Sequence, residues 1–215
     1  TGEDGPTHAD PQALQLLQEN FAPGTVITLT PWDPQECHVL LSAALAAHPA
    51  VICPFVTRPN ETVVDRESLG LAPAKEATKG VYRLRQATSD NQKACVVLQG
   101  SEVANEFISL ALPLLHHEGI DIDVFYIASA ELFDLLPVAE KEQIFPPERS
   151  EAAIGITGFT LPTLYRWVTS QRGRDMSLHP FKKGHYPGSG KANVVIQEAG
   201  LDGKSQFEAI MNFMK

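Results

Sequence analysis

Two short β-branched runs on either side of one apolar helix pattern restrict this chain to few folds. TVITLT (residues 25–30) and AVICPFV (residues 50–56) read as strands, the second as a buried apolar one. Between them, Asp33 can cap a helix, Pro34 can open it, and ECHVLLSAALAAH carries it to His48 before Pro49 stops it. A strand that returns beside its predecessor after a helix of this length does so in parallel. An earlier helix, PQALQLLQEN (residues 11–20), has Asp10 as its cap and proline in its first turn. The pattern predicts a partial parallel, Rossmann-like α/β unit. Half a sheet is expected here, as from a chain that starts partway through a fold.

Residues 59–79 break the rhythm, with mixed charge, Pro59 and Pro73, and no sustained period, and they read as a linker. From Gly80 the alternation resumes with VYRLRQ and ACVVLQG as strands and a long helix from about Glu102 to His117, which Pro113 kinks or ends. IDIDVFYIAS and AAIGITG are further strands, with ELFDLL a short helix between them and PVAEKEQIF an exposed acidic one. LPTLYRWVTS reads as a helix, and residues 173–190 as an irregular glycine-rich stretch. KANVVIQEAG and KSQFEAIMNFMK read as closing helices, although periodicity alone leaves residues 194–196 open between helix and strand. This second unit reads as a complete three-layer α/β domain with a mainly parallel sheet. The expected division is an incomplete unit at 1–58, a linker at 59–79 and a complete domain at 80–215.

Charge narrows the partners. The formal net charge of -9 opposes non-specific binding to nucleic acid or anionic membrane, though one placed arginine can still hold a phosphate. No apolar run reaches the roughly 20 residues that span a bilayer, and the acidic, polar start has no signal-peptide pattern. Cys37, Cys53 and Cys95 are scattered among apolar residues and read as buried reduced thiols. Together these features predict a cytoplasmic protein.

Several apparent motifs fail on inspection. HYPGSGKAN lacks the first glycine of a phosphate loop, His185 standing in its place, and has Ala192 where serine or threonine is needed. GLDGKS fails as well, with Glu198 at the first glycine position; it reads as a helix-ending glycine followed by a new helix start. His116 and His117 suit a helix C-terminus, and His179 and His185 flank a basic run that reads as solvated loop. No metal-ligand spacing is present.

Three features survive, all in the first unit. GEDGPTH (residues 2–8) places a carboxylate, Asp4, and an imidazole, His8, on a loop stiffened by Pro6. TPWDPQE (residues 30–36) follows the first strand. VTRPN (residues 56–60) sets Arg58 at the C-terminal end of the second, the edge where open α/β sheets gather ligands.

In these residues the sequence resembles transketolase. The family carries a GEDGPTHQP loop, a proline-aspartate-glutamate pattern after the next strand, and a serine-arginine-glutamine-asparagine turn after the one following. In the second unit, LQGSEV is similar to the family's ATGSEV, ELFD recurs after the next strand, and PGSGKA is similar to its FGASGKA. The resemblance covers nearly the whole chain, as the second half of the pyrimidine-binding domain followed by the C-terminal domain.

The resemblance implies transfer of a two-carbon ketol unit between sugar phosphates, with thiamine diphosphate and a divalent cation (Mg or Ca) in a complete homodimeric enzyme. It implies that Asp4 bonds a substrate hydroxyl. His8 lies near the cofactor's aminopyrimidine and helps to move a proton, and Arg58 holds the sugar phosphate. No role is implied beyond Gly80. The departures are Ala9 for the family's glutamine and Thr57 for its serine. The pyrimidine-side glutamate, the aromatic residue under the ring and the glycine-aspartate-glycine metal motif have no counterpart here. The expectation is therefore a chain that is inactive alone, binds no cofactor tightly, and works with a diphosphate-binding half. The part before Gly80 is expected to be the less stable. Two other readings are a non-catalytic dimerisation or regulatory-ligand module, with residues 173–190 as the place to look, and the decarboxylating component of a 2-oxo-acid dehydrogenase.

Overall fold

The computed structural model describes residues 10–18, 20–57, 62–88, 94–185 and 187–215. Helix α1 (Gln12–Leu17) begins where Asp10 Oδ1 accepts the Gln12 amide at 2.8 Å. Strands β1 (Val26–Leu29) and β2 (Val51–Pro54) pair in parallel from Val26 opposite Val51 to Leu29 opposite Pro54. The crossover is α2 (Pro34–Ala46), capped by Asp33, which accepts the Gln35 amide at 2.8 Å.

All four residues of β1 are buried, but β2 is not. Val51 is 50% exposed, which corrects the reading of residues 50–56 as a buried strand. An unbroken apolar run shows that both faces of a strand are oily, not that both are covered. Among the described residues β2 has one strand neighbour, β1.

Residues 62–73 return over α2 and lead through a 3-10 turn (Ala74–Lys79) to Gly80. Gly80 has φ +78°, and a Cβ there would lie 2.3 Å from both the Ser129 oxygen and the Phe133 nitrogen. Only glycine lets the chain pass so close to the next unit's backbone.

The second sheet has the order β3-β5-β4-β6. Its strands are β3 (Val81–Arg85), β4 (Cys95–Gln99), β5 (Asp123–Ile127) and β6 (Ala153–Thr157), with β3 alone antiparallel. The long helix forms as α3 (Ser101–Glu106), a π turn (Phe107–Ala111) and α4 (Leu112–His117). Pro113 does not end it. The Leu112 amide donates to the Phe107 carbonyl, one residue further back than in an α-helix, so the wide turn meets the residue that has no N–H to give.

Helices α5 (Ala130–Asp134), α6 (Val138–Ile144) and α7 (Pro147–Glu151) follow β5. A 3-10 turn (Leu161–Leu164) and α8 (Gln171–Met176) follow β6, and α9 (Ala192–Ala199) and α10 (Gly203–Met214) close the chain. Two cores show the layers. Val96, Leu98, Val124 and Tyr126 pack with Phe107, Leu115 and Ile210 on one face of the sheet. Val97, Phe125 and Ile127 pack with Phe133, Phe145 and Trp167 on the other. The architecture is three-layer α/β, with residues 194–196 helical.

The C-terminal third departs from the sequence reading at two places. LPTLYRWVTS forms only the short 3-10 turn; beyond it the Arg174 guanidinium donates to the Val168 carbonyl at 2.8 Å and the Tyr165 carbonyl at 3.0 Å. The basic run near residue 182 is not simply solvated. Lys182 Nζ donates to the Asp175 and Ser177 carbonyls, each at 2.7 Å, at the end of α8. Lys183 Nζ reaches the Glu198 carbonyl at 2.7 Å at the end of α9, and Arg172 the Phe213 carbonyl at 3.1 Å near the end of α10. These cations satisfy carbonyls that helix ends leave open. His179 is half-buried, and burial, followed by the nearby Lys182, pushes its pKa down. GLDGKS behaves as read: Gly200 is left-handed at φ +71°, and Asp202 caps α10 by accepting the Ser205 amide at 3.1 Å. No helix among the described residues is long and apolar enough to cross a membrane.

The cysteines separate. Cys95 is buried, Cys53 half-buried and Cys37 exposed, which corrects the reading of all three as buried. Burial pushes the Cys95 thiol up to about 12. The Cys37 thiol is raised too, by burial and then by the Glu36 and Asp33 carboxylates beside it. Iodoacetamide at pH 8 is expected to label Cys37 slowly and Cys95 only after unfolding, because the thiolate is the reacting form. Mass spectrometry of the native chain checks this; native labelling of Cys95 would contradict its placement.

Candidate functional site

Asp4, His8 and Arg58 lie outside the described residues, as does Ala9. The described chain takes up again at Asp10 ahead of α1, and it runs up to Thr57 after β2. Both places belong to one region. Gln15 of α1 accepts the Thr160 hydroxyl at 2.7 Å, and Phe55 stacks edge-on against Phe159 with ring centres 5.5 Å apart. Thr160 and Phe159 belong to the loop after β6. The C-terminal edges of the two sheets therefore face each other.

Between those edges sits the segment that TPWDPQE supplies. The Thr30 amide donates to the Ala128 carbonyl at 2.8 Å and its hydroxyl to the Ile127 carbonyl at 2.8 Å, just past β5. The Tyr126 hydroxyl donates to the Thr30 carbonyl at 2.6 Å. Ser101, at the start of α3 after β4, donates to the Trp32 carbonyl at 3.3 Å. The connections leaving β4 and β5 go to opposite faces of the sheet, so a crevice opens between their ends, the usual ligand position in such folds. Here Thr30 and Trp32, 3% and 1% exposed, reach into that crevice.

A buried charge cluster lies beside it. Arg66 donates from Nε to Asp33 Oδ2 at 3.0 Å and from a terminal nitrogen to Glu36 Oε1 at 2.8 Å, and its guanidinium lies 4.6 Å from the Trp32 ring centre. The Tyr82 hydroxyl donates to the same Glu36 oxygen and accepts from Trp32 Nε1 at 2.9 Å. Burial pushes the Glu36 carboxyl above its ordinary range, against the pull of Arg66 and Tyr82. Burial and then the Glu36 charge push the Tyr82 hydroxyl well up. Such a cluster is built to hold α2, residues 62–73 and β3 in one arrangement. It has no free group with which to do chemistry.

Sequence reasoning placed Asp33 as a cap and quoted Glu36 within a motif, but gave neither a partner. Arg66 escaped it because mixed charge without periodicity reads as solvated. Glu131 of ELFD was quoted without a role; its Oε2 accepts from the Thr28 hydroxyl at 2.7 Å and the Thr28 amide at 3.1 Å. Among the described residues no group of three His, Cys, Asp or Glu side chains is placed to hold a metal ion.

No family model matches the sequence. The chain is 29% identical to the transketolase of Aquifex aeolicus over 189 residues, covering 87% of this chain and 26% of that protein. In fold it matches the transketolase of Leishmania mexicana with a TM-score of 0.75 at 18% identity, covering 99% of this chain and 28% of that one. It also matches the inactive beta4 tetramer of a split-gene transketolase, with a TM-score of 0.67 at 13% identity, covering 99% of this chain and 65% of that one. At these identities the structural matches show the fold alone. The chain thus spans about a quarter of the length of the first two relatives. By sequence and by fold it is transketolase-like, fitting a C-terminal part of those enzymes.

Proposed function

We propose that this chain is the C-terminal portion of a thiamine-diphosphate enzyme that moves a two-carbon ketol unit between sugar phosphates, in the cytoplasm, within a dimeric assembly. Its domains are the second half of a pyrimidine-binding domain at 1–58, a connecting segment at 59–79 and a C-terminal domain at 80–215. The ordered run of GEDGPTH, TPWDPQE and VTRPN carries this reading: in sequence the first precedes α1, the second follows β1 and the third follows β2. A purely structural module has no need of that set of acid, imidazole and guanidinium.

In this reading Arg58 anchors the substrate phosphate with its planar fork of donors, and Asp4 fixes a hydroxyl next to the reacting carbon. His8 moves a proton, its ordinary pKa lying near working pH. The cofactor, when bound, supplies the centre that stabilises a carbanion. The described residues offer no donor set for a metal-bound diphosphate, so that end of the cofactor falls to a diphosphate-binding half, on the same chain or another subunit. The inactive split-gene neighbour lends support to a chain of this fold needing such a complement.

The test is reconstitution. The chain alone, and the chain with a diphosphate-binding half encoded upstream or at an adjacent locus, are assayed for ketol transfer from a ketose phosphate to an aldose phosphate. Activity is expected only for the pair, with calorimetry detecting no tight thiamine diphosphate binding by the chain alone. A pair that assembles and takes up cofactor but transfers nothing would overturn the proposal.

A further inference from the structure

Glu131 is a half-buried acid between the two units, and unlike the buried Glu36 it has no cation partner among the described residues. Its Oε2 accepts from the Thr28 hydroxyl at 2.7 Å, the Thr28 amide at 3.1 Å and the Ser129 hydroxyl at 3.4 Å. Its Oε1 is buried with no hydrogen-bond partner among the described residues. The Thr28 amide points away from β2, so the carboxyl group serves as that edge's substitute for a neighbouring strand. An unpaired charged oxygen out of water is far more costly than a neutral hydroxyl there.

We propose that Glu131 holds a proton on Oε1 in the folded chain, and that this proton makes the joint between β1 and α5 a pH-sensitive latch. The charged groups on the elements packed against α5 are engaged elsewhere or face solvent. On the 3-10 turn before β3, Lys79 pairs with Glu76 at 2.7 Å and Lys75 is exposed. On β3, Arg85 pairs with Asp121 at 2.6 Å and Arg83 lies over the Phe125 ring. Strand β1 carries no charge, and Asp134 of α5 itself pairs with Arg166. Burial accordingly raises the Glu131 pKa, outweighing the opposing bonds from Thr28, from its own backbone amide and from Ser129.

The sign follows from linkage. An acid whose folded pKa is raised gives its full stabilisation below its unfolded pKa, and that stabilisation is lost as pH rises through the folded pKa. Between the open-state pKa and the folded pKa the closing equilibrium of the joint weakens by up to about tenfold per pH unit, and above the folded pKa it changes no further. The latch is therefore tightest at low pH and loosens as pH rises toward the folded pKa.

Two measurements on the whole chain test this. Carboxyl-carbon NMR is expected to show Glu131 titrating above the ordinary carboxylate range. Hydrogen exchange, corrected for intrinsic rates, is expected to show Thr28 protection falling as pH rises from the ordinary carboxylate range through the folded Glu131 titration. Glu131→Gln, a neutral mimic of the protonated acid, is expected to keep Thr28 protection at pH 6 and remove its pH dependence, whereas Glu131→Ala loses the protection throughout. Titration of Glu131 in the ordinary range would overturn the proposal, and needs no variant to fold. So would a Glu131→Gln chain as unprotected at pH 6 as Glu131→Ala.

Discussion

Replacing Arg66 with methionine is expected to destabilise the chain by about 3–5 kcal/mol, the usual penalty for stripping one partner from a buried charge cluster. Arg66 is 6% exposed and bridges Asp33 and Glu36, which are 2% and 0% exposed. Without the guanidinium, two carboxylates face each other out of water, and methionine restores volume but no donors. The loss should shrink as pH falls, because protonation of Glu36, which burial already favours and Arg66 opposes, then removes uncompensated charge; an acid whose folded pKa is raised loses stability as pH rises. Adding Glu36→Gln should recover part of the loss, since the two sites share one interaction. Urea unfolding at pH 5.5 and 8 measures all of this. A cost below about 1 kcal/mol at pH 8 would mean that the cluster holds little together.

The second large effect belongs to chemistry. If the proposed function holds, His8→Ala in the reconstituted assembly is expected to lower the ketol-transfer rate by about 10²–10⁴-fold, the range over which a placed proton-transfer group acts. Fold and assembly should be unchanged, because residue 8 precedes α1, whose start is secured by Asp10. Steady-state kinetics with matched circular dichroism checks both halves of the expectation. A loss of less than about threefold would remove His8 from the reaction.

How much of this could be read beforehand depended on what each residue needed from its neighbours. Caps, strand runs and the α/β order were legible because they are local: Asp33 and Pro34 start α2, and Gly200 ends α9. Errors arose where the deciding contact lies far along the chain. Whether β2 is covered depends on its strand neighbours, and AVICPFV cannot state them. Arg66 meets partners 30 and 33 residues away, so its own stretch looks solvated. The ten residues from Leu161 read as a helix but form a short turn, with the Tyr165 and Val168 carbonyls taken up by Arg174. The proposed site is the reverse case. Its motif letters identify a family pattern, while Asp4, His8 and Arg58 lie outside the described residues, so their geometry is for kinetics to probe.

The meeting of Thr30 and Trp32 with the ends of β4 and β5 has a practical corollary for anyone seeking ligands. Cutting the chain at Gly80 would give a piece that keeps the second sheet and loses its own plug. The carbonyls of Ile127 and Ala128 and the hydroxyl of Ser101 would then line an inviting cleft of polar groups. Compounds selected against such a piece would in effect imitate a threonine–proline–tryptophan peptide. Offered to the intact protein, they would have to compete with a tethered occupant at high effective concentration. Screens are better run on the whole chain, where a hit that displaces this segment would act as a wedge between the two units.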